Sequence, residues 1–451
     1  RFATLELVRG EWRTYNYALN LKGDAPAQGK MDISVVNIEE NAGQVPVNYV
    51  LPPGVTRIID PGQSQITQLN EQAMSLKVTD LQSGDARAVY KNSGMDMRTY
   101  KRLQMFVHAE KLIDDKTNLR DGDVSVFLRL GSDSKSNYYE YEVPLSLTEP
   151  GNYSTYNAQD QEAVWPQSNM FDFPLSLFTD LKLERNAKKR MDNSTVTFQT
   201  RYSSYDPDKN QNKVTIVGNP SLSDVRTMMI GVRNNSNAAK DIVVWVNEMR
   251  LTDFDQSGGW AAKANVNLGL SDIATLNIAG HVETVGFGGI DQSLTERRLD
   301  DYYQYNIATM VELGRFLPEK VKLKAPLFYS ITEQRTSPKY NPLDQDILLK
   351  DALDNAGSKA ERDSISDASI EKSTVESFSL SGVSFDIRSK NPMPYDPANF
   401  SISYSYNRQS KQDPTTEFEN TYDYRGSFTY SYTPFVKPFV PLKGLKSKSK
   451  H

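Results

Sequence analysis

Cysteine is absent from the 451 residues, and histidine occurs only three times. Without sulfur there can be no disulfide scaffold, thiolate zinc site, iron–sulfur cluster or cysteine nucleophile, because each needs a thiolate or a pair of them. No run of about 18 consecutive apolar residues occurs either, which excludes a transmembrane helix and leaves membrane-crossing strands open. Positive charge is not in excess: 52 Lys and Arg stand against 57 Asp and Glu, a net charge of −5. The global positive field that nucleic-acid binding relies on is missing, so no nucleic-acid partner is expected. No methionine or signal peptide opens the chain, and Arg1–Leu7 already reads as a strand, so the sequence reads as an internal fragment.

Helical periodicity is also scarce, while period-two alternation recurs from end to end, so the expected fold class is all-β. Residues 1–257 carry short runs such as Ala73–Val78, Leu103–Ala109, Val124–Leu130, Tyr139–Val143 and Met228–Arg233, separated by irregular loops. That pattern predicts a jelly-roll-like β-sandwich closed by the central strand Ile242–Leu251. Tyr138, Tyr139, Tyr141 and Trp165 suit either a sugar-stacking surface or, more simply, a sheet core.

After Gly258-Gly259, residues 258–433 alternate over longer stretches and more strictly, predicting about seven antiparallel strands of a very large transmembrane β-barrel. One side of the alternation is apolar and is predicted to face lipid: Leu268, Ile278, Ile307, Val311, Leu323, Phe400, Ile402, Tyr404, Phe428 and Tyr430. The other is polar and is predicted to face a water-filled lumen: Asn265, Asn277, His281, Asn306, Lys322, Ser403, Asp423 and Arg425. Lipid solvates one face and pore water the other, so an unbroken two-faced pattern is what a barrel wall requires. A parity change between Leu380 and Val383 predicts a β-bulge near Gly382. The fourth strand is predicted to run from Val321, and predicted connections alternate short and long, as periplasmic turns and extracellular loops do, with the longest loop over 333–373, a helix at Leu343–Gly357 inside it, and a last loop over Gln409–Glu419. Seven strands are too few to close a barrel, so more wall is expected outside this chain. Residues 434–451, rich in Pro and Lys, read as a turn or tail.

No catalytic constellation emerges. His108 and His281 have no motif around them, and Asp121–Asp123 and Asp344–Asp346 lack the rest of a calcium loop. Gly286–Gly289 is followed by no Lys-Ser/Thr pair, as a phosphate loop would be. No enzyme activity, catalytic residue, metal or cofactor is therefore expected.

Several linked segments then carry a family resemblance. Leu69–Leu81, Gly84–Lys91, Asp96–Glu110, Val126–Asp133, Tyr138–Leu145, Val244–Asp255 and Gly258–Ala262 resemble, in the same order, the SprA/Sov family. The resemblance implies the outer-membrane translocon of the type 9 secretion system of Bacteroidota, a very large single-chain β-barrel with surface-exposed loops. It implies transport of folded cargo proteins bearing C-terminal signal domains, in the context of gliding motility or virulence-factor export. The implied partners are a PorV-type outer-membrane barrel protein, a periplasmic plug protein, the cargo and outer-membrane lipid. The competing reading is a soluble cell-surface adhesin or carbohydrate-binding β-sandwich that uses Tyr139, Tyr141 or Trp165.

Overall fold

The computed structural model describes residues 12–17, 19, 29–57, 68, 70–293 and 296–434. The chain divides into two units, Arg1–Gln256 with Asp344–Gly357, and Ser257–Leu343 with Ser358–His451. The fold is all-β, and its large sheets are antiparallel. The tail beyond residue 434 and the expected strand at Arg1–Leu7 lie outside the described residues.

In the first unit the strands are β1 (Arg13–Tyr15), β2 (Lys30–Asn37), β3 (Gln72–Leu81), β4 (Ala86–Met95), β5 (Tyr100–Glu110) and β6 (Val124–Gly131). They continue with β7 (Tyr138–Pro144), β8 (Phe171–Pro174), β9 (Tyr202–Tyr205), β10 (Lys213–Val217), β11 (Val225–Asn234) and β12 (Lys240–Phe254). One sheet runs β1-β4-β11-β6-β7-β10-β9 and the other β2-β3-β12-β5-β8. The apolar half of each alternation meets the other in a single core: Leu76, Val107, Val244, Leu128, Tyr141 and Ile230 are all buried there. At roughly 25 cal/mol per Å² of apolar surface buried, this contact between the sheets is the main stabilising term of the unit.

Two helices flank β8, α1 (Ala158–Val164) and α2 (Ser176–Lys189), and neither is expected from the alternation. Asn157 caps α1, its side chain accepting from the Gln159 amide. The buried positions of α2 are Phe178, Leu181, Lys182 and Arg185, a regular 3–4 spacing whose last two members are charged. An apolar stripe is thus half hidden in the sequence.

Tight packing recurs on the outer side of the first sheet. A methyl group at Gly231 would meet the Phe127 ring at 2.3 Å and the Ala88 methyl at 2.8 Å. Gly231→Ala is expected to cost about 1–3 kcal/mol by overpacking, read as a lowered unfolding midpoint.

In the second unit lie β13 (Ala261–Leu270), β14 (Ala274–Glu283), β15 (Asp300–Glu312), β16 (Leu323–Lys324), β17 (Pro326–Pro338) and β18 (Tyr340–Asn341). The segment Asp344–Gly357, with β19 (Asp344–Leu348) and α3 (Leu349–Asp354), groups with the first unit. The second unit resumes with α4 (Lys359–Ser369), β20 (Glu371–Phe385), β21 (Phe400–Asp413) and β22 (Thr416–Tyr430). Its sheet runs β13-β14-β15-β17-β20-β21-β22, with β16 beside β20. Among the described residues it is open, with β13 and β22 as edges.

The bulge at Gly382 is present: register slips between Leu380 and Val383, Gly382 takes a φ of +63°, and its N–H donates to Ser403 Oγ at 2.8 Å. Three details differ from expectation. The fourth strand starts at Pro326, not near Val321, because 3₁₀ turns at Leu313–Phe316 and Glu319–Val321 occupy the preceding residues. The last hairpin has no long loop. β21 and β22 continue to Asp413 and Thr416, where Asp413 Oδ1 accepts the Thr415 and Thr416 amides at 2.9 and 2.8 Å. The helix expected at Leu343–Gly357 is a strand followed by only six helical residues, while α4 begins just after it.

Candidate functional site

In an antiparallel ladder, directly paired residues share a face, so the register of the second sheet decides which side chains lie together. Val266, Ile278, Ile307, Ile331 and Glu376 form one such row, and Leu268, Leu276, Thr309, Tyr329, Phe378, Tyr406 and Tyr424 the next. Val311 shares this face through Ala274 and Leu327, and Tyr404 through Leu380. Beyond the bulge, Ile402 pairs Phe428 and Phe400 pairs Tyr430 on the same face. Leu323 reaches it from β16, opposite Phe385. All ten residues predicted to face lipid therefore lie on one side of the sheet. Several are widely open, with Ile402 58 % and Phe428 66 % exposed.

The opposite face collects Asn265 beside Ala279, which pairs Asn306; Asn277 beside Asn267; and His281 beside Lys263. Ser403 pairs Ser427, Asp423 pairs Asn407, and Arg425 pairs Ser405. These side chains satisfy one another: Asn306 Nδ2 donates to Thr332 Oγ1 at 2.6 Å, His281 Nε2 lies 2.9 Å from Glu283 Oε1, and Arg425 pairs Asp423 at 2.9 Å. Two features depart from the sequence reading. Lys322 is not on a strand at all; it closes a 3₁₀ turn with a left-handed φ of +50°. Met310 and Phe328, paired with each other, place two apolar groups on the polar face.

The apolar band also steps along the strands. Its lower edge sits at Leu270, Ala274, Val311 and Leu327 in the early strands, in register with Leu380 and Tyr404. In β21 and β22 it continues four residues further, to Phe400 paired with Tyr430. A step of about 13 Å over strands spaced about 4.8 Å apart slants the band by roughly 25° to the perpendicular of the strands. Tilted strands crossing a flat apolar layer produce such a slant. Past the upper edge the same face turns polar, with the Tyr305 hydroxyl donating to Glu333 at 3.0 Å, and in the Ile307 row Glu376 accepts the Tyr329 hydroxyl at 2.9 Å.

In the first unit the aromatics proposed as a sugar platform are enclosed. Tyr139 stacks on Phe178 at 4.9 Å, Tyr141 on Phe173 at 3.9 Å, and Trp165 donates its indole N–H to Val50 O at 2.7 Å. They are core residues and offer no surface to a glycan.

Two buried charge clusters went unread. On the outer side of the seven-stranded sheet, Glu140 receives Arg129 at 2.5 Å, Arg201 at 2.5 Å and Arg233 at 3.1 Å, and Arg233 also reaches Glu142. Burial alone would raise the Glu140 pKa, but Arg129, Arg233 and Arg201 together outweigh it and hold the carboxyl well below the usual range.

The second cluster ties the segment Asp344–Gly357 to α2. The Lys182 ammonium donates to Pro220 O at 2.7 Å, to Asp346 Oδ1 at 2.8 Å and to Asp344 Oδ1. Asp346 Oδ2 in turn accepts the Tyr139 hydroxyl at 2.6 Å. Burial, only partly offset by Lys182, raises the Asp344 pKa, and burial with Asp346 beside it raises that of Tyr139. Lys182→Met removes the one cation hydrogen-bonded to both Asp344 and Asp346. It is expected to speed amide exchange at residues 344–354 at least tenfold, and unchanged protection would contradict the role given to Lys182.

Among the described residues no group of three or more His, Asp or Glu could hold a metal, and no helix is long and apolar enough to cross a membrane. A profile of the family described as motility related/secretion protein, SprA_N, matches residues 1–353. The chain belongs to the SprA family. This SprA-family chain finds no match among curated proteins. One solved structure similar to part of it is the family 11 carbohydrate-binding module of the cellulosomal cellulase Lic26A-Cel5E of Clostridium thermocellum. Identity is 10 %, coverage is 54 % of this chain and 88 % of that one, and the TM-score is 0.23.

Proposed function

We propose that this chain forms part of the wall of a protein-conducting outer-membrane channel, the type 9 translocon, which passes folded cargo with C-terminal signals to the cell surface. One observation carries the reading: a seven-strand antiparallel path whose paired rows leave a slanted, solvent-open apolar band on one face and a hydrogen-bonded polar face on the other. A soluble sheet that leaves such a band uncovered is an aggregation hazard, whereas a bilayer covers it at no cost. Membership in a family related to motility and secretion supports the same role.

In this reading β13 and β22 pair with further strands, since unpaired edges are not tolerated in lipid. The connections at 271–273, 313–325 and 386–399 face the periplasm, and those at 284–299 and 339–370 face the cell surface. Folded cargo passes along Asn, Ser and Thr side chains that offer it no extended apolar surface. A PorV-type barrel and a periplasmic plug protein are the proposed partners. The test is membrane fractionation of the parent protein followed by gel mobility with and without heating. An outer-membrane, heat-modifiable species is the expected result, and a protein that stays in solution without detergent overturns the proposal.

A further inference from the structure

The outer face of the five-stranded sheet in the first unit carries a cleft of about 410 Å³. Its floor comes from adjacent strands in register: Ser34 of β2 pairs Ser75 of β3, and Val243 of β12 lies between Lys77 of β3 and Glu110 of β5. The loop after β2, through Gln44, Val45 and Pro46, forms one wall, and Leu112 and Ile113 form another.

Glu110 is the unusual member. Its residue is 1 % exposed, it lines the cleft, and its Oε2 has no hydrogen-bond partner. The nearest basic nitrogen is His108 Nε2, 3.8 Å away and likewise without a partner. The other ring nitrogen, His108 Nδ1, lies 2.8 Å from Val164 O, and a carbonyl can only accept, so Nδ1 carries a proton. In the neutral ring Nε2 is then an acceptor. Two buried polar atoms without hydrogen-bond partners, a carboxylate oxygen and a ring nitrogen, face each other beneath the cleft, and a buried polar group left unpaired costs about 1–3 kcal/mol. Trp245, stacked on His108 at 3.9 Å, fixes the ring in place.

What completes such a site is a cation with several N–H donors on an apolar stem. We infer that the cleft receives a primary ammonium group on an aliphatic chain, the chemistry of a lysine side chain presented by a partner protein. The ammonium reaches the Glu110 carboxylate, and Val243, Val45 and Pro46 flank its methylenes. Lys77, Lys111 and Asp114 also line the cleft, so its charges balance overall, and the preference for a cation comes from the unpartnered Glu110 carboxylate alone, to which a neutral alcohol brings no charge.

The test uses the purified full chain with n-butylammonium as probe, followed by ligand-observed NMR, with n-butanol as the neutral control. Saturable butylammonium binding that falls at least tenfold in Glu110→Gln, and that n-butanol does not displace, is the expected result. Ile113→Trp provides a second arm, because Ile113 is exposed at the cleft wall and its replacement narrows the entrance without touching the buried groups. It too is expected to weaken binding at least tenfold. Absence of binding to the unaltered chain, equal displacement by butanol, or binding in both variants as tight as in the unaltered chain overturns the inference.

Discussion

Ile307→Arg is expected to prevent assembly of the parent protein into the outer membrane, while Asn306→Arg, one residue away, leaves assembly intact. Ile307 lies on the apolar face one position inside the band's upper edge, between Ile278 on one neighbouring strand and Ile331 on the other. Asn306 is on the opposite face, bonded to Thr332. An arginine on the lipid side of a barrel strand costs up to about 2–4 kcal/mol, the cost rising with depth toward the midplane, and one in a watery lumen costs little. The contrast is read as the fraction of protein that becomes heat-modifiable. Equal tolerance at both positions would mean that neither face meets lipid.

Glu140→Gln is expected to destabilise the first unit by about 3–5 kcal/mol, because it leaves Arg129, Arg201 and Arg233 converging on a group without charge in a buried site. Denaturant unfolding followed by tryptophan fluorescence reads this directly, since Trp165 and Trp245 are both buried in this unit. The pH dependence has a definite sign. The folded-state pKa of Glu140 lies below its unfolded value of about 4.3, so its contribution is complete above that value and is lost as pH falls through the folded one. The unaltered protein should therefore lose stability below about pH 5 more steeply than Glu140→Gln. Parallel pH profiles, or a loss under 1 kcal/mol, would contradict the assignment of Glu140 as the charge centre.

The two-faced sheet was legible because strand periodicity is two, so Ser401, Ser403 and Ser405 against Phe400, Ile402 and Tyr404 state their faces directly. Gly382 likewise announced its bulge through a change of parity. What sequence reasoning missed is what charge disguises. The inward stripe of α2 contains Lys182 and Arg185, which read as solvated until the segment around Asp346 and the Gly218 carbonyl supply their partners. Asp344 and Asp346 read only as a fragment of a calcium loop because their cation is far away in sequence. One missed element did carry a local signal. Ser358 caps α4 by accepting the Glu361 amide, and Ser-x-x-Glu is a capping box that could have placed the helix. Lys322 was misassigned because alternation continues through Val321 and Leu323 although the backbone there turns through a 3₁₀ helix.

The most direct test of the channel wall uses the natural lack of cysteine in this segment. Single cysteines placed in the parent protein at successive positions 303–311 of β15 are probed in intact outer membranes with a water-soluble maleimide. The account predicts labelling that alternates, strong at 306, 308 and 310 and weak at 307, 309 and 311. Uniform labelling along the strand would show water on both faces and contradict it.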